Sequence, residues 1–221
     1  MAKFTFDPQL LPVDALGDEG ELAPERLGAP WLRRHFDAPP HWRPEVSDEA
    51  LSRRPQPTPA SVLIALVERP EGLTVLLTQR TDHLTDHAGQ ISFPGGRAED
   101  FDASPVATAL RETEEEIGLH PRHVDVIGTL PDYFTGTGYR VTPVVALVAP
   151  PFELSADERE VAAIFEVPLA FLMNGAHHRR LSVELPEGQG RRSFYAMPYE
   201  GHFIWGATAG MLRNLFHFLR A

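Results

Sequence analysis

The chain has no cysteine among its 221 residues. Disulfides, thiolate metal sites and a cysteine nucleophile are therefore excluded. No apolar run approaches the ~18 residues needed to span a bilayer. The opening "MAKFTFDPQL" also lacks the basic-then-apolar layout of a secretory signal, so a cytoplasmic address is expected. Positive charge is scarce too: 20 Lys and Arg face 31 Asp and Glu, giving a net charge of −11. An extended nucleic-acid or anionic-membrane partner needs a basic surface, so neither is expected. If the substrate is itself anionic, cations must balance it locally. At 43% hydrophobic and 23% charged, the composition is that of an ordinary globular protein with one well-buried core.

Ten of the 21 prolines fall before residue 60. Residues 1–59 therefore read as a proline-rich arm and linker ahead of a 60–221 body. Within the arm, "APERLGAPWLRRHF" suits a short helix that sets Trp31, Leu32 and Phe36 against the body. Beyond it, "SVLIALVE" (61–68) and "LTVLLTQR" (73–80) are strand signals separated by the turn "RPEG". Further strand runs lie at 124–130, 140–148, 162–169 and 193–206, and helices are predicted at 104–117, 168–173 and from 206 to the end. The predicted class is α/β, a mixed β-sheet sandwiched by helices.

"RETEEEIG" (111–118) sets Glu112, Glu114, Glu115 and Glu116 within five positions. On a wheel of 100° per residue with Arg111 at zero, Glu115, Glu112 and Glu116 fall near 40°, 100° and 140°. Val106, Leu110 and Ile117 form the opposite, apolar stripe, and Glu114 falls near 300°, apart from the other glutamates. Ser104 and Pro105 suit the cap and first position of this helix. Two carboxylates ~6 Å apart repel by roughly 3 kcal/mol at an effective dielectric near 20. Three on one face are either solvated or hold something positive. An oxygen-only set favours a hard ion, Mg²⁺ or Mn²⁺, over zinc. Arg111 stands one turn before Glu115 and can hold one of the carboxylates in place.

The whole stretch "SFPGGRAEDFDASPVATALRETEEEIGL" resembles the signature of the Nudix hydrolases at Gly96, Asp102, Arg111, Glu112, Glu115, Glu116, Gly118 and Leu119. Asp102 stands where glutamate is usual, eight residues rather than seven separate it from Arg111, and Thr113 takes a position that is often more apolar. Upstream, "LLTQRTDHLTDHAGQISFPGG" (76–96) resembles the element preceding the box in the coenzyme A pyrophosphatase branch. Thr81 and Thr85 depart from that branch, which carries serine or alanine at the first position and arginine at the second.

The resemblance implies a Nudix-type α/β/α sandwich and metal-dependent hydrolysis of a nucleoside diphosphate linked to another moiety. Glu112, Glu115, Glu116 and Gly96 are the implied metal ligands, with Glu112, Glu115 and Arg111 in the catalytic machinery. A further carboxylate is expected outside the helix, and Glu160 is the choice over Asp157 and Glu158 in "ADEREVAAIFEVPL". Arg80, Arg97, Tyr139 and Arg140 are the candidates for the small nucleotide substrate. His83 and His87 are four apart, a spacing that suits a metal pair, but they have no evident third ligand. Coenzyme A or a thioester of it is the first substrate expectation and ADP-ribose or a dinucleotide the second. A non-catalytic nucleotide-binding module is the alternative of another class. Isopentenyl diphosphate isomerase, which shares the fold, would need a cysteine. The sequence leaves the oligomeric state open, a homodimer included.

Overall fold

The computed structural model describes residues 6–45, 56–81, 89–185 and 190–221. His83, Thr85 and His87 lie outside the described residues. The chain runs through β1 (Val13–Leu16), α1 (Ala29–Asp37), β2 (Thr58–Arg69), β3 (Gly72–Arg80), β4 (Ile91–Ser92), β5 (Gly95–Arg97) and α2 (Pro105–Ile117). Next come β6 (Val124–Thr129), β7 (Tyr133–Phe134), β8 (Tyr139–Val148), β9 (Val161–Pro168) and α3 (Leu169–Leu172). The last elements are β10 (Arg179–Glu184), β11 (Arg191–Tyr199), β12 (His202–Trp205) and α4 (Gly206–Arg220). No helix among the described residues is long and apolar enough to cross a membrane.

The β-branched runs of the sequence form β2, β3, β6, β8 and β9 of one large sheet. β2 and β8 run parallel from Thr58↔Tyr139 to Val67↔Val148, while β3, β5, β6, β7 and β9 join antiparallel, so the sheet is mixed. Side chains alternate between the faces of a strand. On β2, Leu63, Ala65 and Val67 enter a core with Ala109 and Ile117 of α2, and Ile64 and Leu66 enter a second core with Leu212, Leu215 and Phe216 of α4. Burial on both faces explains the unbroken apolar run from Val62 to Val67. With α2 on one face and α4 on the other, the α/β/α arrangement is complete.

A second, antiparallel sheet has the order β1-β10-β11-β12. The apolar stretch 193–206 is therefore two strands rather than one. They are joined by Glu200 and Gly201, both at positive φ (44° and 86°), the geometry of a two-residue hairpin turn. The segment before residue 60 is built into the body wherever it is described. β1 pairs with β10, and α1 buries Leu32 and sets the Phe36 ring 4.6 Å from that of Phe218. Glu19 and Glu45 hold the buried guanidinium of Arg213 on α4.

Candidate active site

The caps of α2 fix where its glutamates point. Ser104 Oγ accepts the Ala107 N–H at 3.2 Å, Pro105 opens the helix, and Gly118 closes it in the left-handed region (φ 70°). With the ends pinned, Ala109 and Ile117 enter the core. Thr113 is buried with its hydroxyl donating to the Ala109 carbonyl, which satisfies the one polar group on that face. Glu114 is left in solvent. Glu112 and Glu116 turn towards β5, and Glu115 stands between them and water, its side chain 60% exposed against 8% for Glu116.

β5 meets this face with two glycines, each for its own reason. A Cβ on Gly95 would run into the backbone of Ser61 and Val62 on the neighbouring β2, and one on Gly96 would fall on the Glu112 carboxylate. The backbone thus passes directly over the helix, and the Gly95 N–H donates to Glu116 Oε2 at 3.1 Å. Arg111 is the positive group among the glutamates. Its Nη1 lies 2.9 Å from Glu112 and 3.0 Å from Glu115. Its Nε and Nη2 clasp both oxygens of Asp102, and Nη2 also donates to the Arg97 carbonyl. This fork-to-carboxylate pairing holds the Asp102 carboxyl well below its usual range. The extra residue between Asp102 and Arg111 sits before the helix and does not disturb the pair.

Glu116 has weaker compensation. Burial pushes its carboxyl up to about 7, against the Gly95 N–H and an Arg80 Nη1 that stays 3.8 Å away. Glu112 is also raised, mainly by burial, and the charge of Glu160 raises both. Glu160 reaches this neighbourhood through the turn before β9, where the Thr81 N–H donates to its carbonyl and the Thr81 hydroxyl to the Arg159 carbonyl. Asp157 is held by Arg159, which lowers its carboxyl to about 2, and Glu158 faces solvent.

These groups line a cavity of about 500 Å³. Glu112, Glu116, Gly96, Glu160, Arg80, Arg97 and Tyr139 all reach it. Arg80 keeps its Nε buried and without a hydrogen-bond partner among the described residues. Arg111 and Glu115 are not among the residues that line the cavity. Arg140 does not belong to the cavity: alternation along β8 sends Tyr139 inward and Arg140 outward, where it lies 3.6 Å from Asp132 in a separate, smaller hollow. Phe6, Arg192 and Trp205, which no motif singles out, also line the cavity, brought there by the second sheet and the segment before it.

Residues 57–183 match the family described as NUDIX domain. The Escherichia coli (strain K12 / DH10B) protein named "Uncharacterized Nudix hydrolase NudL" is 46% identical over 174 residues, which cover 78% of this chain and 86% of that one. The chain belongs to the Nudix hydrolase family. It is accordingly a pyrophosphohydrolase acting on nucleotide derivatives. Among solved structures it resembles the Nudix hydrolase RenU of M. smegmatis at 27% identity and a TM-score of 0.45, covering 56% of this chain and 78% of that one. A MutT/nudix family protein from Enterococcus faecalis aligns at 16% identity and a TM-score of 0.45, over 85% and 73% of the two chains.

Nudix hydrolases use divalent cations, commonly Mg²⁺ or Mn²⁺. Among the described residues of this Nudix hydrolase, no three acidic or histidine side chains close on one point, because Arg111 draws Glu112 and Glu115 to itself and Gly95 holds an oxygen of Glu116. The donor chemistry nonetheless fits a hard cation. Carboxylates crowd one cavity wall with too little positive charge to balance them, and the wall beside Gly96 has no Cβ to obstruct the approach.

Proposed function

We propose that this Nudix hydrolase cleaves the diphosphate of coenzyme A or its thioesters to 4′-phosphopantetheine and 3′,5′-ADP. The observation that carries the chemistry is the meeting of Glu112, Glu116, Glu160 and Arg80 on one cavity. The upstream element 76–96 supports the choice of substrate through Leu76, Leu77, Thr78, Arg80, Gly89, Phe93, Pro94, Gly95 and Gly96.

In this reading Glu112, Glu115, Glu116 and Gly96 are the residues that would hold Mg²⁺ or Mn²⁺. When bound there, such an ion would offset the charge of the diphosphate and lower the pKa of a bound water. Glu160, on the lining of the cavity, takes the proton of the attacking water as the water oxygen bonds to phosphorus and the bridging P–O bond breaks. Arg111 positions Glu112 and Glu115, its own charge satisfied by Asp102. Arg80 faces the phosphates, Arg97 flanks them from β5, and Tyr139 meets the nucleotide.

The deciding measurement is kcat/KM with identified products for coenzyme A, dephospho-coenzyme A, ADP-ribose, dinucleotides and nucleoside triphosphates under one metal. Coenzyme A is expected to lead. A tenfold preference for ADP-ribose would overturn the substrate choice and leave the family chemistry standing.

A further inference from the structure

Glu160 lines the cavity although it is exposed, so its place there depends on the backbone that carries it. That backbone is held from two sides. On the side of α2, the Ser155 and Asp157 N–H groups donate to the carbonyls of Ile117 and Glu116 at 2.9 and 2.8 Å. The Glu160 and Val161 N–H groups donate in turn to the Asp157 carbonyl at 2.9 and 2.8 Å, and the Asp157 carboxylate accepts from the Arg159 N–H and guanidinium.

On the side of β3 the anchor is Thr81, a buried residue just past the end of the strand. Pairing between β3 and β9 slips by one residue between Gln79↔Ala163 and Arg80↔Val161, and Glu160 lies beyond its last pair. Thr81 takes over where the ladder stops: its N–H donates to the Glu160 carbonyl at 3.0 Å and its hydroxyl to the Arg159 carbonyl at 3.2 Å. The second branch at its Cβ restricts χ1 and so keeps the hydroxyl aimed at the turn. We propose that Thr81 is a positioning residue for the hydrolysis, its two bonds to the turn before β9 holding Glu160 where it serves the attacking water. The proposal rests on Glu160 as the base. A reacting group misplaced by ~1 Å can lose about 10²-fold in rate, so a tie to the adjoining backbone is felt in kcat.

The test is steady-state kinetics of the full chain with Mg²⁺, on whichever substrate leads the panel above, for the wild type, Thr81→Val, Thr81→Ser, Glu160→Gln and the double variant carrying Thr81→Val and Glu160→Gln. Amide hydrogen exchange of residues 156–161 is followed alongside in metal-free protein. Valine keeps the shape and the N–H but not the hydroxyl. Thr81→Val should lower kcat ~tenfold with KM changed less than twofold, and Thr81→Ser should restore about half of the wild-type kcat or more. In the Glu160→Gln background, Thr81→Val should cost less than twofold, because the group it positions is gone. Exchange at 156–161 should quicken at least tenfold in Thr81→Val and stay near the wild type in Thr81→Ser. Circular dichroism establishes that the variants are folded. An unchanged kcat in Thr81→Val, unchanged exchange, or a loss that multiplies in full with that of Glu160→Gln would each overturn the proposal while Glu160→Gln still costs its tenfold and the base reading stands. If Glu160→Gln is itself silent, the base reading fails and the proposal falls with it.

Discussion

Replacing Glu116 by glutamine should make the metal-free protein more stable and the enzyme inactive. The buried carboxyl titrates at about 7 rather than 4.5, because burial and the nearby charges of Glu160 and Glu112 penalise its ionised form. A raised folded-state value means that this group's contribution to stability is complete below about 4.5 and is lost as pH climbs through about 7. The loss amounts to about 3 kcal/mol at pH 8. Glutamine keeps the shape and can still accept the Gly95 N–H, but it cannot ionise. In chelator, Glu116→Gln and the wild type should therefore unfold together near pH 4 and diverge by about 3 kcal/mol at pH 8, or about 10 °C in Tm for a chain of this size. Addition of Mg²⁺ or Mn²⁺ at ~100 times its Kd should return about 2.7 kcal/mol to the wild type and little to the variant. Thermal melts across pH, with and without the ion, read both effects. Coincident melting at pH 8 in chelator would refute the account of the crowded carboxylates, and an equal gain from the ion would refute Glu116 as a ligand.

Glu115→Gln should lower kcat by ~10²-fold or more with the fold retained, whereas Glu114→Gln, on the solvent side of the same turn, should change it less than twofold; steady-state assays of the pair compare them directly. Glu160→Gln should cost at least tenfold in kcat without unfolding, with Glu158→Gln as control, and a larger loss at 158 would move the role of base by two residues. Gly96→Ala drives a methyl group onto the Glu112 carboxylate, so the affinity for Mn²⁺, measured by paramagnetic relaxation or calorimetry, should fall at least tenfold. Unchanged affinity would show that the close approach of β5 to α2 is not needed for the ion.

The sequence by itself determined what local periodicity encodes. Ser104, Pro105 and Gly118 set the ends of α2, and the 100° step then separates Glu114 from Glu112 and Glu116 whatever the rest of the chain does. The β-branched run at 61–68 marked a strand, and the lack of cysteine closed off thiol chemistry. Strand alternation even held the signal that Tyr139 and Arg140 cannot share a face, although it did not say which of the two would enter the cavity. Tertiary structure alone decided which faces meet. Glu160 nears Glu116 because the turn before β9 is tied to Thr81 at the end of β3, a pairing across 79 positions of chain. Arg192, Trp205 and Phe6 reach the site because a short, charged strand, β10, joins β1 to β11 in a second sheet. Such long-range pairings leave no periodic trace in the residues they bring together, since each strand satisfies its own pattern whichever neighbour it finds.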